Sequence, residues 1–376
     1  KKGAHQWRGV IDEYRNWLPV TDQTPVITLR EGGTPLVHAF VLSEMLGNDV
    51  WLKVEGTNPT GSFKDRGMTM AISKAAEDGA KAVICASTGN TSASAAAYAT
   101  KAGMKPVVLV PEGKIAMGKL AQAIAHGATL LQVKGNFDDC LTLARQLSEN
   151  YPVCLVNSVN PFRIEGQKTI PFRALEYLNW EVPDWIVYPG GALGNTSSCG
   201  KALMELYEWG WIKKIPRIAV INSDGASTLS DLYNGEFEGE ELRWNKGNPN
   251  TELISRYYNH LDKKGLRPKT RATAIQIGRP ANILKGLRAL EFTNGVATTV
   301  TDSEMLDGMS VVGLNGFDCE MASGASVAGI KKLMNEEIIK KDDTVVGILT
   351  GRQKDAMIPV DYHSDSNNTF ANPPKN

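Results

Sequence analysis

The stretch "KAVICASTGNTSASAAAYATKAGMKPVVLVP", residues 81–111, decides the fold class of this 376-residue chain. A short apolar run, "KAVICAS", is followed by the alanine-rich segment "TSASAAAYATKAG" and by a second apolar run, "KPVVLVP". This order predicts strand, helix and strand, which together form a parallel βαβ unit. Because each strand is apolar at successive positions, we expect both faces of the sheet to be covered.

The same alternation continues on either side of this stretch and predicts an α/β protein. Further strands are expected at "DVWLKVE", "ATLLQV", "VCLVN", "DWIVYPGG", "RIAVINSD" and "TVVGILTG". We predict two lobes built on open parallel sheets, with a large domain of residues 1–75 and 160–376 and a small, mobile domain of residues 76–159. The charged segment 235–270 is expected to form an irregular surface excursion or a flap, and the polar tail after Tyr362 to be weakly ordered or laid along the surface.

The composition is typical of a soluble globular protein, with 42% hydrophobic residues, 22% charged residues and a formal net charge of +0. There is no basic excess to indicate a nucleic acid or an anionic membrane as partner, so we expect a small-molecule substrate. No apolar run approaches the roughly 20 residues of a spanning helix, and the N-terminus lacks the apolar core of a secretory signal. The five cysteines have neither zinc-ligand nor redox spacing. We therefore expect a cytoplasmic protein with reduced thiols and no metal site.

A cluster of small polar residues follows the first strand of the opening stretch. Hydroxyls and backbone N–H groups at a helix start are suited to binding a carboxylate. The alternative is a well-capped helix, since these residue types are favoured caps, but one residue would satisfy that need. The candidates are Ser87, Thr88, Gly89, Asn90 and Thr91.

A glycine-rich loop, "YPGGALGNTSS", follows a later strand and predicts an anion site. Gly190, Gly191 and Gly194 allow the backbone to wrap an anion closely, and the following helix adds its positive end. A dinucleotide fingerprint would need glycine where Pro189 stands, although Asp224 could serve as its ribose-binding acid. The loop alone leaves open a phosphate site, a nicotinamide dehydrogenase, or a tight turn.

A lysine stands at the start of a predicted helix in "EGTNPTGSFKDRG", residues 55–67. The partial positive charge of a helix N-terminus disfavours another cation, so Lys64 would keep more of its nucleophilic free base there. A long side chain at this position could also extend into solvent. An amine, a carboxylate site and an anion site in one α/β chain are together what a pyridoxal phosphate enzyme needs.

Eight motifs strengthen this interpretation. In order they are "EGGTPL", "LKVEGTNPTGSFKDRG", "ASTGNTSASAAAYA", "GKLAQAIAHGA", "NSVNPFRIEGQKT", "PGGALGNT", "TAIQIG" and "SGASVAGIKKL". This series resembles that of the threonine synthase family, and the likeness runs from about Trp7 to Tyr362. The resemblance implies the two-lobed fold of the tryptophan synthase β-like (fold type II) pyridoxal phosphate enzymes, and a homodimer.

The resemblance also implies roles in binding the cofactor, pyridoxal 5'-phosphate. Lys64 is expected to hold it through its amine and later to move protons, with Phe63 near the ring. Asn90 should hydrogen-bond the ring hydroxyl, and Thr350 should face the ring nitrogen. A hydroxyl at that place does not enforce ring protonation as a carboxylate would. Backbone N–H groups for the cofactor phosphate are implied at Gly191, Ala192, Leu193, Gly194 and Asn195.

For the substrate, O-phospho-L-homoserine, the resemblance implies two binding groups. Thr88 and Thr91 should bind its carboxylate, and Ser158 and Arg163 its phosphate, because a guanidinium fork matches phosphate oxygens. Lys53 and Lys168 are weaker candidates for the phosphate, since isolated lysines are more often solvated at the surface.

The implied reaction is loss of the γ-phosphate and addition of water at Cβ, which yields L-threonine. Three departures from the family pattern are expected to tune the enzyme: Ala192 where relatives usually have Asn, the "TGRQKD" version of residues 350–355, and the absence of proline after Glu320. Alternatives are a threonine or serine dehydratase, a cysteine or cysteate synthase, and a catalytically silent paralogue. The segment "NSVNPFR" and the lysine context "GSFKDRG" favour the synthase.

Overall fold

The computed structural model describes residues 3–113, 117–135 and 137–353. The chain divides into two compact units. One contains the chain up to Thr34 together with Thr57–Arg173, and the other contains Pro35–Gly56 and the chain from Ala174 onward. The predicted tail after Tyr362 lies outside the described residues.

The described residues contain ten β-strands. They are β1 Leu36–His38, β2 Asp49–Val54, β3 Ala82–Ala86, β4 Lys105–Pro111, β5 Thr129–Val133, β6 Val153–Leu155, β7 Trp185–Pro189, β8 Arg217–Ser223, β9 Val296–Val300 and β10 Thr344–Leu349. All six additional strands predicted from the sequence are present, whereas β1 and β9 were not predicted.

The α-helices in the same part of the chain number fourteen. They are α1 Val10–Tyr14, α2 Phe40–Leu46, α3 Lys64–Glu77, α4 Asn90–Lys101, α5 Met117–Ala125, α6 Phe137–Asn150, α7 Pro161–Gln167, α8 Thr169–Tyr177, α9 Gly194–Glu208, α10 Thr228–Tyr233, α11 Thr251–Lys263, α12 Ile283–Phe292, α13 Asp302–Leu314 and α14 Met321–Asn335. Short 3₁₀ helices lie at Arg15–Trp17, Glu55–Thr57, Asn245–Gly247 and Thr273–Ile275. No helix among the described residues is long and apolar enough to cross a membrane.

The first unit contains a parallel sheet of four strands in the order β5, β4, β3, β6. Successive residues of β3 point to opposite faces. Val83 and Cys85 pack with Met68 and Ile72 of α3 and with residues of α4, whereas Ile84 on the opposite face packs with helix α6. The prediction of a βαβ unit covered on both faces is therefore confirmed.

The second unit contains a sheet of six strands in the order β1, β2, β10, β7, β8, β9. All neighbouring strands are parallel except β1, which pairs antiparallel with β2 at the edge. Helix α14 lies against this sheet, with Ala325 and Ile330 in the core beside Val187, Ile221 and Val345. The predicted α/β class with open parallel sheets is confirmed, with one antiparallel edge strand.

The limits of the two units differ from the domain limits predicted from the sequence. Helix α3 belongs to the unit of the four-stranded sheet because its apolar face, including Met68 and Ile72, packs on that sheet. Mobility of the smaller domain stays a prediction. The segment 235–270 is more regular than expected, since it contains α11, whose residues Leu253 and Tyr257 are buried.

All five cysteines are free, and all but Cys154 are buried. Burial raises the pKa of the Cys85 and Cys199 thiols to about 12, which keeps both neutral and unreactive near neutral pH. The expectation of reduced core thiols agrees with these environments.

Candidate active site

Lys64 is the first residue of α3, as the sequence predicts, and Phe63 is its N-cap residue. The Phe63 ring is buried, and the Lys64 Nζ atom lies 4.1 Å from its centroid. Such a contact between a cation and an aromatic face orients the half-buried amine. The position of Lys64 at a helix start is the one expected for a nucleophilic amine, and the Phe63 ring lies beside its Nζ atom.

The carboxylate of Asp65 joins the start of α3 to helix α4. It accepts hydrogen bonds from the Thr60 amide at 2.7 Å, from the Thr60 hydroxyl at 2.5 Å and from the Ser94 hydroxyl at 2.6 Å. Burial raises its pKa to about 6, although these hydrogen bonds act in the opposite direction. Asp65, the residue directly after Lys64, therefore connects the start of α3 to the helix that begins at Asn90.

Helix α7 packs closely against α3 at two glycines, Gly67 of α3 and Gly166 of α7. A Cβ atom on Gly166 would lie 1.9 Å from the carbonyl oxygen of Arg66, and one on Gly67 would lie 2.9 Å from the carbonyl oxygen of Arg163. Neither position has room for a side chain. The backbone of Arg163 therefore lies beside Gly67, which is three residues after Lys64.

The guanidinium of Arg163 is buried, with an exposed fraction of 1%. It donates to the Val156 carbonyl at 3.2 Å and to Gln167 Oε1 at 3.1 Å, while its Nε atom makes no hydrogen bond. Burial lowers its pKa to about 10, so it stays charged at neutral pH. A buried cation with an unused donor is suited to an anion, but contact with a substrate phosphate stays a prediction.

The loop between β3 and α4 carries the residues predicted to bind a carboxylate. Each residue from Ser87 to Thr91 is half-buried. The N-cap of α4 is Gly89, and no side chain caps this helix. The interpretation of this cluster as an ordinary helix cap is therefore wrong. A Cβ on Gly89 would meet no atom within 4 Å, so there is open space beside the loop.

The two lysines proposed as weaker phosphate ligands are not at the surface. Lys168 is buried and pairs with Glu165 at 2.7 Å, and Lys53 is fully buried and pairs with Glu55 at 3.2 Å. The expectation that isolated lysines are solvated is wrong here. Lys53 lies in β2, and Glu55 is the first residue of the short 3₁₀ helix that follows this strand. Ser158, the remaining candidate for the phosphate, is half-buried just before α7.

In the second unit the glycine-rich loop connects β7 to α9. The Gly190 amide donates to the Ile221 carbonyl at 2.6 Å, and Asn222 Nδ2 donates to the Gly190 carbonyl at 2.8 Å. A Cβ on Gly190 would lie 2.5 Å from Asn222 Nδ2, so only glycine fits there. Leu193 adopts the left-handed conformation, with φ 61°, and is the N-cap of the 15-residue helix α9.

Unpartnered polar atoms mark the first turn of this helix. Asn195 Oδ1 and Nδ2 and the Thr196 hydroxyl are buried and make no hydrogen bond. A buried polar group without a partner costs about 1–3 kcal/mol. Two such residues side by side at a long helix's positive end indicate a site made for an anionic ligand.

Thr350 directly follows β10 and is buried with a carboxylate and a second hydroxyl. Its Oγ1 atom donates to Glu320 Oε1 at 2.9 Å and lies 2.9 Å from Ser323 Oγ. Glu320 is the N-cap residue of α14, and its amide donates to the Gly351 carbonyl at 2.9 Å. The hydroxyl of Thr350 is thus held in one orientation by groups 27 and 30 residues away along the chain.

The family model described as "Pyridoxal-phosphate dependent enzyme" matches residues 27–351. The chain belongs to this family. It is 46% identical to a threonine synthase of Synechocystis sp., covering 93% of this chain and 84% of that protein. It is 43% identical to a threonine synthase of Methanocaldococcus jannaschii, covering 93% and 80%. The structure of maize serine racemase has a TM-score of 0.70 and 18% identity, covering 94% of this chain and 96% of that one.

Pyridoxal phosphate is therefore the cofactor, and the dehydrogenase alternative is excluded. The second unit fits the cofactor's phosphate, because Asn195 Nδ2 and the Thr196 hydroxyl lack acceptors that phosphate oxygens would supply. Among the described residues, no group of three or more His, Cys, Asp or Glu side chains could hold a metal ion.

Three polar residues of these surroundings were not predicted from the sequence. Thr196 follows the glycine loop directly, so its position in the sequence could have indicated its hydroxyl as a further donor. Glu320 and Ser323 have no local signal that connects them with Thr350, because the contact depends on the packing of α14 beside β10.

Proposed function

We propose that the chain is a threonine synthase, which converts O-phospho-L-homoserine and water to L-threonine and phosphate. The similarity to proteins of that name over 93% of the chain supports this activity. The structural observation that carries it is Arg163, a buried guanidinium with an unused donor on a helix packed against that of Lys64. A dehydratase has no second phosphate to bind and no need of this cation.

Bound pyridoxal phosphate supplies an electron sink that acidifies the Cα and Cβ protons of an amino-acid substrate. Lys64 would hold the cofactor and, once displaced by substrate, remove the Cα proton and return it at the end. Phe63 would orient the Lys64 amine, and Asn90 would hydrogen-bond the ring hydroxyl. The ring nitrogen would face Thr350.

The phosphate of the cofactor would be bound by the α9 N-terminus. The backbone N–H groups proposed for it are those of Gly191, Ala192, Leu193, Gly194 and Asn195, and Thr196 would add its hydroxyl. The first turn of α9 offers these donors together with the positive end of its dipole.

For the substrate, Thr88 and Thr91 would bind the carboxylate at the uncapped start of α4. Ser158 and Arg163 would bind the phosphate that leaves from Cγ, and Arg163 would stabilise the charge that develops on it. Lys53 and Lys168, each already paired with a glutamate, would act on this phosphate less directly.

The test is to add O-phospho-L-homoserine to the cofactor-loaded protein and to measure phosphate and threonine together. We expect equal amounts of both, and loss of both in Lys64→Ala. Release of ammonia from threonine or serine with no phosphate turnover would instead support a dehydratase. A protein that binds the cofactor, shown by visible absorbance, but turns over neither substrate would be a silent paralogue.

We further propose a cytoplasmic homodimer with a mobile small domain. The family resemblance supports the dimer, and the five free cysteines, four of them buried, are compatible with a reducing compartment. Sedimentation equilibrium of the cofactor-loaded protein tests the dimer. A mass of one chain, 40.8 kDa, at micromolar concentration would contradict it.

A further inference from the structure

Two carbonyl groups of the glycine-rich loop are held by residues of β8 and α12. Asn222 of β8 donates from its Nδ2 atom to the Gly190 carbonyl at 2.8 Å. The backbone amide of Asn282, the N-cap residue of α12, donates to the Ala192 carbonyl at 3.1 Å. The Asn282 Nδ2 atom lies 3.4 Å from the same oxygen. Alternate peptide groups of the loop are thus fixed from two different elements.

The orientation of these carbonyl groups decides where the next amides point. All peptide bonds of the described residues are trans. In a planar trans peptide group the C=O and the N–H point in opposite directions. The N–H group of Gly191 therefore points away from Asn222, and that of Leu193 points away from Asn282.

The amides of this loop have no acceptor in the part of the chain that the structure describes. Each N–H group from Gly191 to Asn195 makes no hydrogen bond to a described residue. All of these residues are buried except Ala192, which is half-buried. Buried backbone amides in a folded protein are almost always paired. These amides therefore indicate an acceptor that comes from outside the chain, as the oxygens of a bound phosphate do.

The side-chain amide of Asn222 has one possible orientation. Its Oδ1 atom accepts hydrogen bonds from the Ser230 amide at 3.1 Å and from the Ser230 hydroxyl at 3.0 Å. A backbone amide only donates and a carbonyl only accepts, so the NH₂ group of Asn222 must face the Gly190 carbonyl. Asn222 and Ser230 are both buried. The start of α10 thus fixes the donor that holds the loop.

We propose that Asn222 is a positioning residue of the cofactor site, which directs the Gly191 N–H group toward the cofactor's phosphate by holding the Gly190 carbonyl. The inference rests on the proposed binding of this phosphate at the α9 N-terminus. Amides that already point at an anion bind it more strongly, because no peptide group has to rotate when the anion arrives. Without Asn222, the peptide group between Gly190 and Gly191 is free to rotate, since glycine tolerates both orientations.

The experiment compares pyridoxal 5'-phosphate with pyridoxal, which lacks the phosphate. The dissociation constants of both are measured by titrating the cofactor-free protein and following the visible absorbance. Asn222→Ala removes the donor to Gly190. It should weaken the binding of pyridoxal phosphate by about tenfold or more, because a hydrogen bond to a charged group is lost, and leave the binding of pyridoxal nearly unchanged.

Asn48→Ala is the matched control. It also removes a buried side-chain amide that donates to a backbone carbonyl, that of Lys340 at 2.8 Å. Asn48 directly precedes β2, whereas Gly190 directly follows β7, so the two asparagines act at opposite edges of the same sheet. The control should leave the ratio of the two dissociation constants as it is in the wild type.

Two results with Asn222→Ala would overturn the inference. Equal weakening of both compounds would mean that Asn222 supports the surrounding structure and not the phosphate contact, and unchanged binding of both would mean that the Gly191 amide needs no support. If Asn222→Ala does not fold, Ser230→Ala removes one of the two bonds that orient the Asn222 amide. The ratio should then change in the same direction by a smaller factor, and an unchanged ratio would equally reject the inference.

Failure of the proposed function gives a different result. A wild-type protein that binds both compounds equally would reject the proposed place of the phosphate and the inference with it. Because binding is measured without turnover, the expected ratios in a protein that releases no phosphate from O-phospho-L-homoserine would contradict the synthase activity and leave the role of Asn222 standing.

Discussion

Replacement of Asp65 by asparagine is expected to change how the free energy of unfolding depends on pH. Burial raises the pKa of Asp65 from 3.8 to about 6, so the folded protein binds this proton more tightly than the unfolded chain does. Stability is therefore lost as the pH rises through this window, and the ionised carboxylate costs the folded state about 3 kcal/mol at neutral pH. Asparagine has no charge to titrate and removes this dependence.

The size of the effect follows from the two pKa values. Between pH 5 and pH 8 the Asp65→Asn protein should gain about 1.4 kcal/mol relative to wild type, since most of the folded-state titration lies in that interval. A second, pH-independent term opposes the gain. The Thr60 amide would face an NH₂ group in place of the oxygen that it reaches at 2.7 Å, which costs about 1–3 kcal/mol. Only the change with pH is diagnostic.

The assay is chemical denaturation of the cofactor-free and the cofactor-loaded protein at pH 5, 6, 7 and 8. The difference between variant and wild type should move steadily in favour of the variant as the pH rises. Asp22→Asn, which changes an exposed carboxylate, is the matched control and should show no such trend. A constant difference, or one that moves against the variant, would refute the assignment of a raised pKa to Asp65.

Three further predictions concern other parts of the site. Arg163→Gln should raise KM for O-phospho-L-homoserine by about tenfold or more, because a charged hydrogen-bond donor is lost. The visible absorbance of the cofactor should stay unchanged. An unchanged KM would reject a contact between Arg163 and the substrate phosphate. Gly166→Ala should destabilise the protein by about 1–3 kcal/mol or more, because its Cβ has no room. Gly313→Ala, with no atom within 4 Å of its Cβ, should be neutral or stabilising in the same denaturation assay. Thr196→Val should stabilise the cofactor-free protein by about 1 kcal/mol and weaken cofactor binding, because the buried Thr196 hydroxyl makes no hydrogen bond. In the control, Thr228→Val removes a hydroxyl that donates to the Gly278 carbonyl at 2.7 Å and should destabilise the protein. A destabilised Thr196→Val protein would mean that the Thr196 hydroxyl has a partner.

The α/β class could be predicted because its signal is local. The strands β3 and β4 are continuous apolar runs, and a helix of suitable length stands between them. Strand β9, "VATTV", escaped notice because its two threonines weaken the apolar pattern, and β1 has only three residues. The position of Lys64 at a helix start could be predicted for the same reason, since the loop and the helix adjoin it in sequence.

The surroundings of the predicted residues could not be deduced in this way, because they depend on contacts between distant parts of the chain. The fit of α7 against α3 rests on Gly67 and Gly166, which are 99 residues apart and which no sequence pattern connects. Lys53 and Lys168 are likewise buried, each with a glutamate as its partner. A local pattern indicates which groups a site contains, whereas the folded packing decides their charge and their hydrogen bonds.

Thr350 shows why this distinction matters for chemistry. In the sequence it is a hydroxyl at a strand end, and a hydroxyl can donate or accept. Its behaviour is decided by Glu320, whose carboxylate accepts the only proton that Thr350 has. Because α14 begins at the residue after Glu320, the packing of one helix start beside one strand end fixes the direction of a hydrogen bond. That direction, and not the identity of the residue alone, determines whether the hydroxyl offers a ligand a proton or a lone pair.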